Sequence, residues 1–252
     1  MRRPDRAGPA SLAESSGLQS EVLEDLASAV NYIDWYAGLA RPWLGNDPLE
    51  VGSGHGSYAA AWSAAGQRVT ASEADPARLE LLRNRFADEP LVAVRELHAP
   101  IREAAGYSAV VAYNVLEHIE DDVGALRSFR GLLRSGGHVV LVVPAFPVAM
   151  SEFDRSIGHH RRYTCPSMER ALRAAGLQPV LVRYQNSVGL LGWLVLMRLL
   201  GGRPSEGFAL RAFDRGVVPV LRRLESRVRL PFGQSVFAVG RRPDIEPSGL
   251  PA

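Results

Sequence analysis

With 252 residues, 46% of them hydrophobic and 22% charged, the chain has the apolar content for one substantial core and the composition of a soluble globular protein. A net charge of +2 is too small to argue for nucleic acid, and every basic residue is Arg, so Schiff-base and lysine-base chemistry are excluded. The single Cys165 closes no internal disulfide and builds no cysteine zinc site, which fits a reducing cytoplasm, and Arg2, Arg3 and Arg6 precede no apolar segment of the secretory-signal kind.

Residues 1–17 are rich in Pro, Gly, Ser and Ala, and residues 243–252 carry three prolines. Both are expected to be disordered tails around a single domain over 18–242. Leu18, Val22, Leu26 and Val30 recur every four residues and lead into Tyr32, Trp35, Tyr36 and Trp43, which predicts an N-terminal helical cap over 18–47. Strands and helices then alternate. A strand near 48–51 precedes a helix over 56–65. Arg68–Ser72 is a strand, and Pro76–Phe86 a helix with proline in its first turn. Leu91–Leu97 and Ala109–Tyr113 are strands, the second apolar enough to be central in a parallel sheet. Asp121 and Asp122 open a helix that Ser135-Gly136-Gly137 is expected to stop. His138–Val143 is the fifth strand, Pro166–Ala175 a helix, and Pro179–Tyr184 and Ser235–Arg241 the last two strands. Such alternation implies right-handed crossovers and one parallel sheet.

Residues 187–234 interrupt the last two strands as an apolar, Arg-rich insertion, expected to be helical and to shape a substrate pocket. Its run Val188–Leu200, broken by Arg198, is short for a bilayer span. Residues 209–230 set Leu210, Phe213, Val217, Val218, Leu221 and Leu224 among arginines, a pattern that also suits weak contact with an anionic membrane surface, with Pro219 kinking the helix.

The chemistry concentrates at Leu49-Glu50-Val51-Gly52-Ser53-Gly54-His55-Gly56, followed by Glu73 at the end of the next apolar run. A strand, a glycine turn, a helix start and a second strand ending in a carboxylate make a nucleoside-cofactor site of a doubly wound α/β sheet. Gly52 and Gly54 let the backbone turn tightly and approach a ligand. Glu73, nineteen residues after Gly54, is placed to accept ribose hydroxyls. Asp75 competes for that role and is also placed to cap the following helix. The glycines fall as G-x-G-x-G rather than G-x-G-x-x-G, and Glu50 beside the turn would repel a pyrophosphate. Both features disfavour a nicotinamide dinucleotide and favour the cationic amino-acid end of S-adenosylmethionine.

The ordered set Glu50–Gly56, Glu73, Asn114-Val115-Leu116-Glu117-His118-Ile119-Glu120-Asp121 and Leu133-Arg134-Ser135-Gly136-Gly137 resembles the class I S-adenosylmethionine-dependent methyltransferases over about residues 49–144. The stretch Ser151-x-x-Asp154 to Gly158-His159-His160-Arg161-Arg162-Tyr163 is similar to a narrower, type 11/12-like branch of that family. The resemblance implies an α/β fold: a doubly wound, Rossmann-like, seven-stranded, mostly parallel sheet with helices on both faces and the last strand antiparallel. It implies S-adenosylmethionine held by Tyr32, Glu50, Gly52, Ser53, Gly54, Glu73, Ala74, Glu96, Leu97, Asn114 and Val115, with Glu96 standing where the family commonly has Asp. His118, His159 and His160 are candidate proton acceptors for a small-molecule O- or N-acceptor. Tyr36, Arg161, Arg162 and Tyr163 are candidate acceptor contacts, the arginines suiting phosphate or carboxylate. No metal site is expected, because no H-x-x-x-H pair occurs and adjacent His159 and His160 point apart. A non-methylating, cofactor-binding partner of another biosynthetic enzyme is the alternative reading.

Overall fold

The computed structural model describes residues 28–98, 101, 105–193 and 208–244. Its elements in chain order are α1 (Val30–Leu44), β1 (Pro48–Val51), α2 (Ser57–Ser63), β2 (Val69–Glu73), α3 (Pro76–Arg85), β3 (Val92–Glu96), β4 (Tyr107–Tyr113), α4 (Asp122–Leu132), β5 (Leu133–Pro144), α5 (Glu152–Ser156), α6 (Cys165–Ala174), β6 (Gln178–Gln185), α7 (Ser187–Trp193), α8 (Phe208–Ala212), α9 (Val218–Glu225) and β7 (Ser235–Arg241). Leu18, Val22 and Leu26, and the expected tails up to 17 and from 245, lie outside the described residues.

The short apolar runs become one seven-stranded sheet in the order β3-β2-β1-β4-β5-β7-β6. β1 to β5 pair in parallel, and β7 slots antiparallel between β5 and β6. The period of two along each strand sends alternate side chains to two cores. Leu49, Val110, Ala112, Val139 and Leu141 pack with Leu126 and Phe129 of α4 and Met168 and Leu172 of α6. Val111, Tyr113, Val140 and Val142 pack on the other face with Trp35 and Tyr36 of α1 and Trp62 of α2. The chain leaves β1 toward β2 on one side and returns through β4 on the other, which opens a crevice at the carboxyl ends of these two strands.

Local signals set most boundaries. Asp75 Oδ1 accepts the Arg78 N–H at 3.0 Å and Asp121 Oδ1 accepts the Gly124 N–H at 2.8 Å, capping α3 and α4. The expected glycine stop of α4 is corrected. The helix ends at Leu132, and Leu133 to Gly137 already belong to β5. Tyr107 pairs with Leu133, and Gly136 and Gly137 exchange backbone hydrogen bonds with Arg242. Gly137 is needed for close approach: a Cβ there would stand 3.0 Å from the carbonyl oxygens of both Arg134 and Ser108.

Two remote carboxylates cap helices. The N-cap residue of α1 is Ala29, whose side chain makes no capping hydrogen bond. Asp214, buried in the π-helical turn Phe213–Val217, accepts the Tyr32 N–H at 2.8 Å and both the backbone and side-chain N–H groups of Asn31. Glu225 of α9 likewise accepts from the Asn186 and Ser187 amides at the start of α7. The insertion is thereby fastened to the N-terminal helix. The π turn Phe213–Val217 precedes α9, and Pro219 stands in the first turn of α9, where its missing N–H is tolerated. Val218 and Leu221 are buried, whereas Val220 and Leu224 face outward. No helix of the described residues is long and apolar enough to cross a membrane.

Replacing Asp214 with Ala is expected to lower stability by about 1–2 kcal/mol. Thermal denaturation should show a Tm drop of a few degrees, and Asp214→Asn should restore part of it.

Candidate functional site

The carboxyl ends of β1 and β2 bring the first group of side chains together. β1 is central, and all four of its residues are buried, Glu50 included at 2% exposure. Its Oε2 has no hydrogen-bond partner. Burial pushes the carboxyl up to about 8, Glu73 raises it further, and hydrogen bonds from Ser53 and the Ala59 backbone oppose the rise. Above it lies a tyrosine cluster. The rings of Tyr58 and Tyr113 meet edge to face at 4.9 Å, Tyr32 and Tyr36 lie 4.4 Å apart, and the Tyr113 hydroxyl donates to the Tyr36 carbonyl at 3.0 Å. Burial raises the pKa of all four phenols, and the Glu50 charge adds to the shift at Tyr58 and Tyr113. A buried carboxyl with one oxygen free, close to aromatic rings, suits a cation and repels a phosphate.

The glycine turn closes this crevice. Gly52, Gly54 and Gly56 all have positive φ, at 69°, 54° and 74°. A Cβ on Gly52 would stand 2.7 Å from Val115 Cγ2, so the turn after β1 touches the turn after β4. Glu73 ties the turn to β2. Its Oε2 accepts the Gly54 N–H at 2.9 Å, and its Oε1 accepts the amides of Ala74 at 2.9 Å and Asp75 at 3.2 Å. Each carboxylate oxygen has two lone pairs, so Oε2 keeps capacity for a ribose hydroxyl. Leu97 is buried at the end of β3, with its N–H on the Glu73 carbonyl. Glu96 is exposed and bonds the His98 ring at 2.8 Å. These residues and the unpartnered Glu50 Oε2 fit the aminoacyl nucleoside S-adenosylmethionine.

A second group forms beyond β4 and β5. Asn114 ends β4 with φ 52°, and Phe146 follows β5 with φ 61°, left-handed conformations that cost non-glycine residues about 1–3 kcal/mol each. The 3₁₀ turn Leu116–His118 follows Asn114. The loop 151–163 then folds back over it. Tyr163 bonds Pro144 and Phe146 through the backbone, and the His160 N–H donates to the Glu117 carbonyl at 2.8 Å.

This fold-back seats His159 beside Glu117 and His118. Glu117 is fully buried, and neither carboxyl oxygen has a hydrogen-bond partner. Burial pushes its carboxyl up to about 8. The His159 Nε2 lies 3.9 Å from Glu117 Oε1, and the His118 and His159 rings stand 4.6 Å apart. His118 is pulled down to about 4 by burial and by its histidine neighbour, so it is neutral. Asp154 is the opposite of Glu117. Its Oδ1 receives His159 Nδ1 at 2.9 Å and Arg162 Nη2 at 2.7 Å, and its Oδ2 receives the Ser151 amide and hydroxyl, both at 2.7 Å. Those partners hold its carboxyl far below the usual range despite burial. Arg78 Nε stands 3.7 Å from Glu73 Oε1.

The structure thus sorts the expected residues. Glu50, Gly52, Ser53, Gly54, Glu73 and Ala74 stand together at the carboxyl ends of β1 and β2, Val115 meets the glycine turn from the end of β4, and Tyr32 and Tyr36 pair on α1. Glu96 and Leu97 flank it. His118 and His159 converge, whereas His160 is exposed. Arg162 is buried and committed to Asp154 and the Ala145 carbonyl. Arg161 pairs with Asp122 at 2.9 Å, and the Tyr163 hydroxyl donates to the same carboxylate. All three thus have partners that hold the loop in place. Glu117, Tyr58 and Tyr113 were missed as site residues. The signal for Glu117 was present: a carboxylate in an otherwise apolar turn directly after a buried strand. A separate cavity lined by Arg68, Phe86 and Leu91 opens at the amino ends of β2 and β3, away from all these groups.

Residues 49–139 match the family model described as a methyltransferase domain. An uncharacterised methyltransferase of Mycobacterium tuberculosis (strain H37Rv) is 39% identical over 103 residues, which cover 39% of this chain and 51% of that protein. A ubiquinone biosynthesis O-methyltransferase of Methylocella silvestris is 32% identical over 154 residues, 54% of this chain and 60% of that one. The chain thus spans about half the length of the mycobacterial relative. A chain from the Haloferax volcanii complex of the Trm112 methyltransferase activator with a methyltransferase superposes with a TM-score of 0.60 at 14% identity, covering 94% of this chain and 100% of that one. At that identity the likeness concerns the fold.

Proposed function

We propose, with residues 49–139 belonging to the class I S-adenosylmethionine-dependent methyltransferase family as the premise, that the chain methylates an oxygen or nitrogen atom of a small-molecule acceptor. The observation that carries this reading is Glu50, a buried carboxyl whose Oε2 has no hydrogen-bond partner, close to Tyr58 and Tyr113 and beside the Gly52–Gly54 turn. When bound, the cofactor supplies a methyl group already activated on a sulfonium. The protein's task is then alignment, exclusion of water and management of one proton. Glu50 accepts the ammonium of the aminoacyl end, and Glu73 accepts ribose hydroxyls. Tyr32 and Tyr36 on α1 cover the crevice. Glu117, His118 and His159 face the acceptor and relieve it of its proton. The ubiquinone O-methyltransferase relative supports an oxygen acceptor over carbon.

Calorimetry with S-adenosylhomocysteine tests the cofactor half, and transfer of a labelled methyl group to a panel of phenols, alcohols and amines tests the acceptor half. One-to-one cofactor binding with label in an O- or N-methyl product is expected. No binding, or binding of a nicotinamide dinucleotide instead, overturns the reading. Binding with no transfer to any acceptor points to a cofactor-holding partner protein.

A further inference from the structure

We infer that Glu117, His118 and His159 form a binding site for a divalent transition-metal cation of the zinc class, with open positions on the ion facing the acceptor. One ligand atom from each of the three side chains lies within 4.8 Å of the others. Around a tetrahedral ion with bonds of about 2.0–2.1 Å, such atoms stand roughly 3.3 Å apart, so small side-chain movements close the set. Two further observations point to a ligand. Glu117 is fully buried with both oxygens unpartnered, a costly state that a cation relieves. His159 is built as metal-binding histidines are. One ring nitrogen is fixed by the Asp154 carboxylate at 2.9 Å, and the other is turned toward Glu117. The His118 ring is anchored similarly, by the Gly158 backbone.

The carboxylates divide the work by their hydrogen bonds. Asp154 has its oxygens occupied by His159, Arg162 and Ser151, so it orients a ligand and does not bind the ion. Glu117 has no such partners and supplies the anionic oxygen. Two imidazoles and one carboxylate select zinc, iron, cobalt or nickel over magnesium or calcium, which prefer all-oxygen sets. Three protein ligands leave at least one position open. With the ion bound the three side chains act as its ligands in place of acting as bases, and an acceptor hydroxyl coordinated there would lose its proton to solvent, keep the bonding pair on oxygen and become the nucleophile. That use of the ion rests on the methyl-transfer reading above. Binding of the ion does not.

The test uses the full chain, freed of metal by chelation and dialysis, with Co²⁺ as a visible-absorbing probe. One equivalent of Co²⁺ is expected to bind with ligand-field bands of a low-coordinate N/O site and to be displaced by Zn²⁺. Glu117→Gln and His159→Gln should each weaken binding at least tenfold, and His98→Ala, which removes the exposed His98–Glu96 pair, should not. Glu117→Gln keeps the shape and replaces a buried carboxyl that no hydrogen bond holds, so its Tm should stay close to that of the parent. S-adenosylhomocysteine calorimetry on the same samples separates the two claims. Absence of stoichiometric Co²⁺ binding, or binding indifferent to Glu117→Gln and His159→Gln, overturns the ion site even where the nucleoside still binds.

Discussion

Glu50→Gln is expected to weaken S-adenosylmethionine binding by about 10- to 100-fold, the weight of a hydrogen bond between charged groups in a dry site. Adenosine alone, which lacks the ammonium, should bind both proteins equally. The same change has a pH signature. The Glu50 carboxyl ordinarily titrates near 4.5 and is pushed up to about 8 by burial. A folded-state pKa above the unfolded one means that the unfolded chain gives up this proton first as pH rises. The stability tied to Glu50 is therefore complete below about 4.5 and is lost as pH climbs through 8. Glu50→Gln removes that loss, so the variant should be the more stable protein above pH 8 and the poorer binder. Affinity should also depend on pH. Below 8 the carboxyl must shed a proton to meet the ammonium, and above it the ammonium, with an ordinary pKa of about 7.7–8.0, is itself lost. Calorimetry across pH 6–10 should show an optimum close to 8 in the parent and a flatter acid limb in Glu50→Gln.

Asp154→Ala is expected to be the most damaging single change. It strips a buried carboxylate from Arg162, which is 6% exposed, and from His159. Breaking a buried pair by removing one partner costs about 3–5 kcal/mol, a Tm fall of roughly 10 °C at this size. Much of the cost is the guanidinium left without its anion. A double variant with Arg162→Met should therefore lose less than the two single changes summed, a coupling that thermal or urea unfolding of the four proteins would measure. A simple sum of the single effects would show that the pair is not coupled.

The strands were legible because their signals are local. β1, β2 and β7 are found within a residue or so of their expected ends, and Asp75 and Asp121 cap the helices that follow them, as short-range chemistry dictates. What escaped depends on partners far along the chain. The glycines at 136 and 137 read as a helix stop, yet their role is set by Arg242 and Ser108. The cap of α1 comes from Asp214, 182 residues from Tyr32. Glu117 and His118 are neighbours in sequence, but His159 reaches them only because loop 151–163 returns over the end of β4, and no spacing rule describes that. Arg161 and Arg162 have counterions, Asp122 and Asp154, that a sequence does not show.

The cap that Asp214 places on α1 has a further consequence. The helix bearing Tyr32 and Tyr36 over the crevice takes its first-turn order from a segment that enters the chain after β6. A molecule that seats against residues 208–225 and steadies them also steadies this roof, and a nucleoside that presses the roof shut returns the favour. Reciprocity then requires each ligand to alter the other's affinity by one common factor, with a carboxylate and two amides as the mechanical joint.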